Sequence, residues 1–114
     1  MSKKFNWRRG VVKPTTREYK VGDVVIFQAI TIHPMDTGFQ KDKHSGQLKP
    51  RFFVKELVIF YNDKQVCSFD FEVSSSPNPK VKFPLRIKGP GVVKAVWMDN
   101  RGNRFEKSTK INPK

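Results

Sequence analysis

The chain has 114 residues, of which 23 are Lys or Arg and 10 are Asp or Glu, so its formal net charge is +13. This length predicts a single domain with a hydrophobic core of its own, and the single cysteine excludes an internal disulfide. The excess of positive charge predicts an anionic partner, whether an acidic protein, a nucleic acid or a charged substrate, without deciding among these classes.

The N-terminal sequence MSKKFNWRRG is basic and contains the twin arginines Arg8 and Arg9. No apolar stretch follows them, so the residues themselves predict no secretory signal. No window of the chain approaches the roughly 18 apolar residues that a membrane-spanning helix needs, and we expect no membrane partner. Taken from its residues alone, the chain is expected in the cytoplasm.

Seven short strands are predicted from runs of β-branched and aromatic residues that are separated by turn residues. No segment has the periodicity of a helix. The pattern predicts an all-β protein, an antiparallel Ig-like β-sandwich of about seven strands. In chain order, the predicted strands cover residues 10–13, 24–32, 52–61, 65–71, 80–87, 92–99 and 104–111.

Turn residues indicate how some of these strands connect. The third and fourth strands meet at Asn62-Asp63-Lys64, and the sixth and seventh at residues 100–103, so both pairs are predicted to be hairpins. Pro84 cannot donate a backbone hydrogen bond to a neighbouring strand. The fifth strand is therefore predicted to lie at a sheet edge or to contain a bulge.

The third and sixth predicted strands have apolar residues at successive positions. Side chains alternate from one side of a strand to the other, so both faces of these two strands are apolar. One face of each strand can line the core of a sandwich, which leaves the second face to be covered by a loop, by the N-terminal arm or by a partner protein. If the third and sixth strands are neighbours, their second faces form one outward apolar patch. We predict that this patch binds a partner through Val58, Phe60, Val96 and Met98.

Side chains with catalytic or metal-binding potential are sparse. His33 and His44 do not have ligand spacing, so we expect histidines in a solvated loop, no metal site and no cofactor. Cys67 shares a strand face with Phe69 and Phe71, which is typical of an inert, packed thiol. Phosphate-binding and nucleophile-elbow motifs are absent from the sequence, and the chain is predicted not to be an enzyme.

A nucleic-acid-binding β domain is the alternative that the charge favours. Phe5 and Trp7 lie among lysines and arginines near the N-terminus, and bases stack on aromatic side chains in a basic groove. The same pattern also fits a basic tail whose apolar residues dock on the domain. No recognised RNA- or zinc-binding signature supports the nucleic-acid alternative, so we expect such binding to be absent.

Several segments together resemble the SoxZ family of the Sox sulfur-oxidation system. They are HPMDTGFQKD at residues 33–42, the single residues Pro50, Phe53 and Glu56, NDK at 62–64, NP at 78–79 and WMDNRG at 97–102, in the family's order and spacing. The resemblance implies an Ig-like sandwich, in agreement with the strand pattern. It also implies a division of the chain into a basic extension, residues 1–16, and a SoxZ-type domain, residues 17–114.

The same resemblance implies a noncatalytic role. The chain would be the scaffold subunit of a SoxYZ heterodimer and would support the SoxY cysteine arm, which carries covalent sulfur intermediates in thiosulfate oxidation. Other Sox enzymes would contact it through this complex. It would reach the periplasm by co-export with a signal-bearing partner, which replaces the cytoplasmic expectation above. A self-associating sandwich that forms homo-oligomers when isolated is a third interpretation.

The segment after the second strand is predicted to lie near the arm of the partner. Pro34 ends the strand, and the connection that follows is long enough to suggest a function. In this hypothesis Met35 offers an adaptable apolar contact, Asp36 begins the turn, and His33 donates a hydrogen bond near an anionic sulfur adduct.

Overall fold

The computed structural model describes Trp7 and residues 9–33, 46–47, 52–71 and 80–114. Within these residues the chain forms seven strands, as predicted, and every strand end lies within two residues of its predicted position. The strands are β1 (Gly10–Pro14), β2 (Val24–Thr31), β3 (Val54–Tyr61), β4 (Lys64–Asp70), β5 (Lys80–Arg86), β6 (Gly91–Asp99) and β7 (Arg104–Ile111).

The strands form two antiparallel sheets that pack into a sandwich. One sheet has the order β1-β2-β5, and the other has the order β4-β3-β6-β7. The predicted Ig-like β-sandwich is confirmed, as are the pairing of β3 with β6 and the two hairpins. Pro84 lies on β5, which is an outer strand of its sheet. A residue without an N–H group is tolerated at such an edge.

The core lies between the inward faces of the two sheets. Phe27 of β2 stacks on Phe83 of β5 with 5.7 Å between ring centroids, and Trp97 of β6 is fully buried across from them. Burying a side chain of this size contributes about 1.5–3 kcal/mol to folding. The inward faces predicted for β3 and β6 are confirmed, since all six of their side chains belong to the core: Leu57, Ile59, Tyr61, Val93, Ala95 and Trp97.

The first strand is part of the sandwich although it lies within the predicted N-terminal extension. β1 pairs with β2 along its whole length, from Gly10 opposite Thr31 to Pro14 opposite Phe27. Val12 of this strand is 2% exposed and belongs to the core. The boundary between residues 16 and 17 stays a prediction, but residues 10–14 pack on the domain and are not a free tail.

Tyr61 fixes the turn that leads into β6. Its hydroxyl donates a hydrogen bond of 2.6 Å to the carbonyl oxygen of Gly89 and accepts bonds of 3.1 Å from the N–H groups of Lys88 and Gly89. The ring itself is 6% exposed and forms part of the core. One hydroxyl group therefore satisfies three backbone groups in the turn between β5 and β6.

We expect Tyr61→Phe to lower the free energy of unfolding by about 1–3 kcal/mol, because three backbone groups of the turn lose their partner. Urea denaturation followed by circular dichroism measures the change. Tyr19→Phe is the matched control, since no hydrogen bond of the Tyr19 hydroxyl occurs within the described residues and the expected change is below about 0.5 kcal/mol. Equal effects of the two substitutions would contradict this role of Tyr61.

Candidate functional site

His33 and Asp99 form a buried hydrogen-bonded pair at one end of the sandwich. His33 follows the end of β2, and Asp99 is the last residue of β6. The His33 Nε2–H group donates to Asp99 Oδ2 over 2.9 Å, and both side chains are 0% exposed. The expectation of a solvated loop histidine was wrong for His33, because its ring is enclosed by the two strand ends.

Asp99 is the centre of this network. Its Oδ1 accepts hydrogen bonds from the backbone N–H groups of Arg101 (2.9 Å) and Asn103 (2.8 Å), and its Oδ2 accepts a bond of 2.8 Å from Asn103 Nδ2. Burial alone would raise the pKa of the carboxyl group. The bonds from His33, Asn103 and Arg101 outweigh that effect and lower the pKa below its ordinary value. The carboxylate is therefore held in its ionised form.

Aromatic rings enclose the histidine. The rings of Trp7 and Phe52 meet the His33 ring edge-on, with centroid distances of 4.6 and 4.5 Å. The guanidinium carbon of Arg101 lies 4.0 Å from the centroid of Phe52 on the outside of this cluster. The pair is shielded from water by rings and by a cation that stacks on one of them.

Trp7 is anchored to β2 and is 9% exposed. Its Nε1–H group donates to Thr31 Oγ1 over 2.6 Å, and the Thr31 hydroxyl donates to the carbonyl oxygen of Arg9 over 2.7 Å. A ring that is buried in this way has no free face on which a nucleic-acid base can stack. For Trp7, the interpretation as an apolar residue that docks on the domain is correct, and the base-stacking interpretation is wrong.

The sequence contained a usable signal for Asp99 that our prediction did not use. An aspartate at the end of a strand, followed at once by a tight turn, is typical of a side chain that accepts the N–H groups of that turn. The two partners are far apart in the chain, so no local pattern connects His33 to Asp99. Met35, Asp36 and His44 lie outside the described residues, and their predicted roles stay predictions.

The four residues predicted to bind a partner lie together on the outer face of the four-stranded sheet. Val58 of β3 is directly opposite Val96 of β6, Phe60 is opposite Lys94, and Met98 is opposite Glu56. The Nζ atom of Lys94 lies 5.2 Å from the centroid of the Phe60 ring. The geometric part of the prediction is confirmed, because the two strands are neighbours and these side chains share one face.

The exposure of this face is smaller than an outward apolar patch would require. Val58 is 9% exposed and Val96 only 2%, whereas Phe60 and Met98 are partly exposed. The two valines are opposite each other at the middle of this face, between the Phe60–Lys94 pair and the Glu56–Met98 pair. The role of the face as a binding surface stays a prediction, and its accessible part consists of Phe60 and Met98.

Cys67 packs where the sequence predicted. It is half-buried on β4, and it contacts the core together with Phe69 and Phe71. Burial raises the pKa of its thiol. A thiol with a raised pKa is a poor nucleophile at neutral pH, which agrees with a role in packing.

Groups of three or more His, Cys, Asp or Glu side chains with the geometry of a metal site do not occur among the described residues. The same part of the chain has no helix that is long and apolar enough to cross a bilayer.

We expect Asp99→Asn to lower the free energy of unfolding by about 2–4 kcal/mol at pH 7, because the buried donors lose a charged acceptor. Since the pKa of Asp99 is lowered in the fold, its carboxylate stabilises the protein above the unfolded pKa of about 3.9. This stabilisation is lost as the pH falls through the folded pKa. The difference between the two proteins should therefore shrink below about pH 4, as measured by urea denaturation across the pH range.

The exposed Asp70→Asn variant is the control for Asp99→Asn, with a change below about 0.5 kcal/mol at pH 7. A loss of stability in Asp99→Asn that stays constant from pH 7 down to pH 2 would contradict an ionised Asp99 carboxylate.

We expect iodoacetamide to alkylate Cys67 more slowly in the folded protein than in the urea-unfolded protein at the same pH. The rate in the fold should also rise at a higher pH than the ordinary thiol pKa of about 8.5, because burial raises the pKa of this group. Mass spectrometry of timed samples measures both rates. Rapid alkylation of the folded protein at pH 7 would identify a reactive thiol instead of a packed one.

Comparisons with known proteins give two kinds of similarity. The model of the family described as sulphur oxidation protein SoxZ matches residues 12–110. Curated protein sequences gave no match. Among solved structures, a superoxide reductase (neelaredoxin) from Ignicoccus hospitalis has a TM-score of 0.70 at 15% identity, with 95% of this chain and 82% of that chain covered.

A Thermotoga maritima protein assigned as a superoxide reductase has a TM-score of 0.68 at 15% identity, with 92% of this chain and 85% of that chain covered. At identities this low, the structural similarity shows a shared sandwich fold and nothing about activity. The family match differs in kind, because it spans the sequence from β1 to β7 and includes Asp99 and its turn. The chain belongs to the SoxZ family of sulphur oxidation proteins.

Proposed function

We propose that this chain is the noncatalytic scaffold subunit of a SoxYZ-type sulfur carrier. In this role it pairs with a SoxY-like subunit and supports the cysteine arm that carries covalent sulfur intermediates in thiosulfate oxidation. The observation that carries the proposal is membership of the SoxZ family over residues 12–110, which implies a part in the Sox sulfur-oxidation system.

The chemistry of the described residues supports a scaffold. The one cysteine has a raised thiol pKa and packs against the core, so it is a poor candidate for carrying sulfur. The His33–Asp99 pair is enclosed by Trp7 and Phe52, so its polar atoms serve the fold. The sulfur-bearing thiol is therefore assigned to the partner subunit, and other Sox enzymes act on the assembled complex.

We assign the partner surface to the outer face of the four-stranded sheet. Phe60 is the anchor, because a partly exposed aromatic ring beside an apolar side chain is the usual centre of a protein interface. Met98 supplies the second apolar contact, on the other side of the Val58–Val96 pair. Val58 and Val96 lie between these two side chains on the same face.

The cellular site follows from the pairing. In a SoxYZ-type pairing, export of this chain would depend on a signal carried by the SoxY-like subunit. We propose the periplasm on this ground. Fractionation of cells that express the chain with and without that subunit tests it, and periplasmic protein in both cases would exclude co-export.

Co-expression with a SoxY-like subunit from the same organism tests the pairing and the surface together. The double variant Phe60→Glu, Met98→Lys keeps the net charge, and each new charge faces an opposite one across the strand pair, Lys94 or Glu56. We expect it to fold and to lose the partner, with binding weakened by about 2 kcal/mol or more, which is about 30-fold. Thermal unfolding and size-exclusion chromatography measure the two properties.

The matched control lies on the other sheet. Val11 and Ile30 are directly opposite each other on its outer face, so Val11→Glu, Ile30→Lys is also a neutral exchange of two apolar side chains. This variant should keep the partner at one to one. If the Phe60 and Met98 variant folds and still binds, the surface is wrong, whereas a wild-type chain that never pairs would contradict the function.

The nucleic-acid alternative is disfavoured by the burial of Trp7 and by the family match. Retention of the purified wild-type chain on DNA or RNA at physiological salt would restore it.

A further inference from the structure

A basic groove opens between the two sheets on the side of the sandwich formed by β4 and β5. These strands are the outer strands of their sheets and are not hydrogen-bonded to each other. The groove has a volume of about 440 Å³. Its lining includes Tyr61, Lys64, Val66, Leu85, Arg86 and Lys88.

The floor of the groove is apolar and its walls are cationic. Tyr61 and Leu85 are each 6% exposed and form the floor, where the core comes close to the surface. Val66 is 43% exposed on the β4 wall, although it is an apolar residue with no covering neighbour. An exposed apolar side chain above an apolar floor indicates a surface suited to a binding partner.

Three cations surround this floor and none of them has an acidic partner within the described part of the chain. Lys64, Arg86 and Lys88 are exposed, and the three ion pairs found there involve other residues. Arg86 Nη1 has one long contact, 3.4 Å, with the carbonyl oxygen of Gly22. Among the residues that the structure describes, no acidic side chain lines the groove. The charge complement of the groove is therefore an anion that also presents apolar groups.

The backbone of β4 offers a template for an added strand. An outer strand has N–H and C=O groups directed away from its sheet, and an extended peptide can pair with them. Pro84 has no N–H group, so β5 is the poorer template of the two walls. β4 also has an irregular register beside Val66, between the pairings of Ile59 and Phe60, which leaves this side chain at the rim of the groove.

We propose that this groove binds an extended acidic segment of a partner protein, which adds to β4 as a further strand. Acidic side chains of the segment contact Lys64, Arg86 and Lys88, and its alternate apolar side chains contact Val66 and the floor. The proposal goes beyond the proposed function and does not depend on it, because the groove is separate from the face that contains Phe60 and Met98.

Two other occupants fit the groove less well. A second copy of this chain would bring together two proteins that each have a net charge of +13, and at the groove it would face three cations. The N-terminal sequence before β1 contains four basic residues and no acidic ones, so it is repelled by the same cations. An acidic partner is the occupant that the charge favours.

Selection from a displayed library of random nine-residue peptides against the immobilised full chain tests the proposal. We expect enrichment of peptides in which acidic and apolar residues alternate, because a strand presents alternate residues to opposite sides. Fluorescence anisotropy then gives the affinity of an enriched peptide. N-methylation of alternate residues should abolish binding in one register and not in the other, since only one edge of the peptide pairs with β4.

The variant Lys64→Glu, Arg86→Glu should weaken this binding by about tenfold or more. Lys13→Glu, Lys107→Glu, on the outer strands β1 and β7, makes the same charge change away from the groove and should have little effect. Lys64→Arg, Arg86→Lys should retain binding. Thermal unfolding confirms that each variant is folded, and Phe60→Glu, Met98→Lys should still bind the peptide even though it loses the SoxY-like subunit.

Four results would overturn the proposal. Two concern the selection: no enrichment at all, or enriched peptides without acidic residues. The third is equal peptide affinity for the chain with and without the Lys64 and Arg86 charge reversals. The fourth is full competition by sulfate alone, which would indicate a site for small anions. A dimer of the chain that disappears in the same reversal would assign the groove to a second copy and would also exclude the acidic partner.

Discussion

The buried carboxylate of Asp99 is the interaction on which this end of the sandwich depends. It accepts hydrogen bonds from His33 at the end of β2, and from Arg101 and Asn103 in the turn that starts β7. Through this one side chain the three-stranded sheet is joined to the four-stranded sheet. A buried carboxylate without these donors would be strongly unfavourable, so the two sheets must reach their relative positions for Asp99 to be ionised and satisfied.

The need to shield the His33–Asp99 pair from water also explains the position of Trp7. The His33 ring is enclosed by Trp7, which is fixed by Thr31, and Trp7 also stacks on Phe105 of β7 with a centroid distance of 5.9 Å. A residue that the sequence placed in a basic tail thus completes the cover of a polar pair. The general consequence is that the burial of the His33–Asp99 pair and the packing of Trp7 are energetically linked, because the Trp7 ring is part of what shields the pair from water.

Alternation and turn chemistry were sufficient to predict the strands, the hairpins and the inward faces of β3 and β6. These features depend on neighbours along the chain, and period-two burial is visible in a single sequence. The His33–Asp99 pair was not predictable in this way, since its members are 66 residues apart. The burial of Val58 and Val96 was also missed, because assigning a side chain to the outer face of a sheet does not say how much of it the rest of the fold covers.

The two lateral sides of the sandwich differ, and only one of them leaves space for a groove. On one side β1 packs beside β7, and the approach is so close that a side chain at Gly10 would lie 2.7 Å from the Phe105 ring. On the other side β4 and β5 leave a groove over the core. A sandwich with two closed sides has only its outer faces and its end loops as binding surfaces. Because one side is open and cationic, this chain presents two surfaces of different chemistry, an apolar face and a basic groove, and the charge of the groove favours a different class of partner from the apolar face.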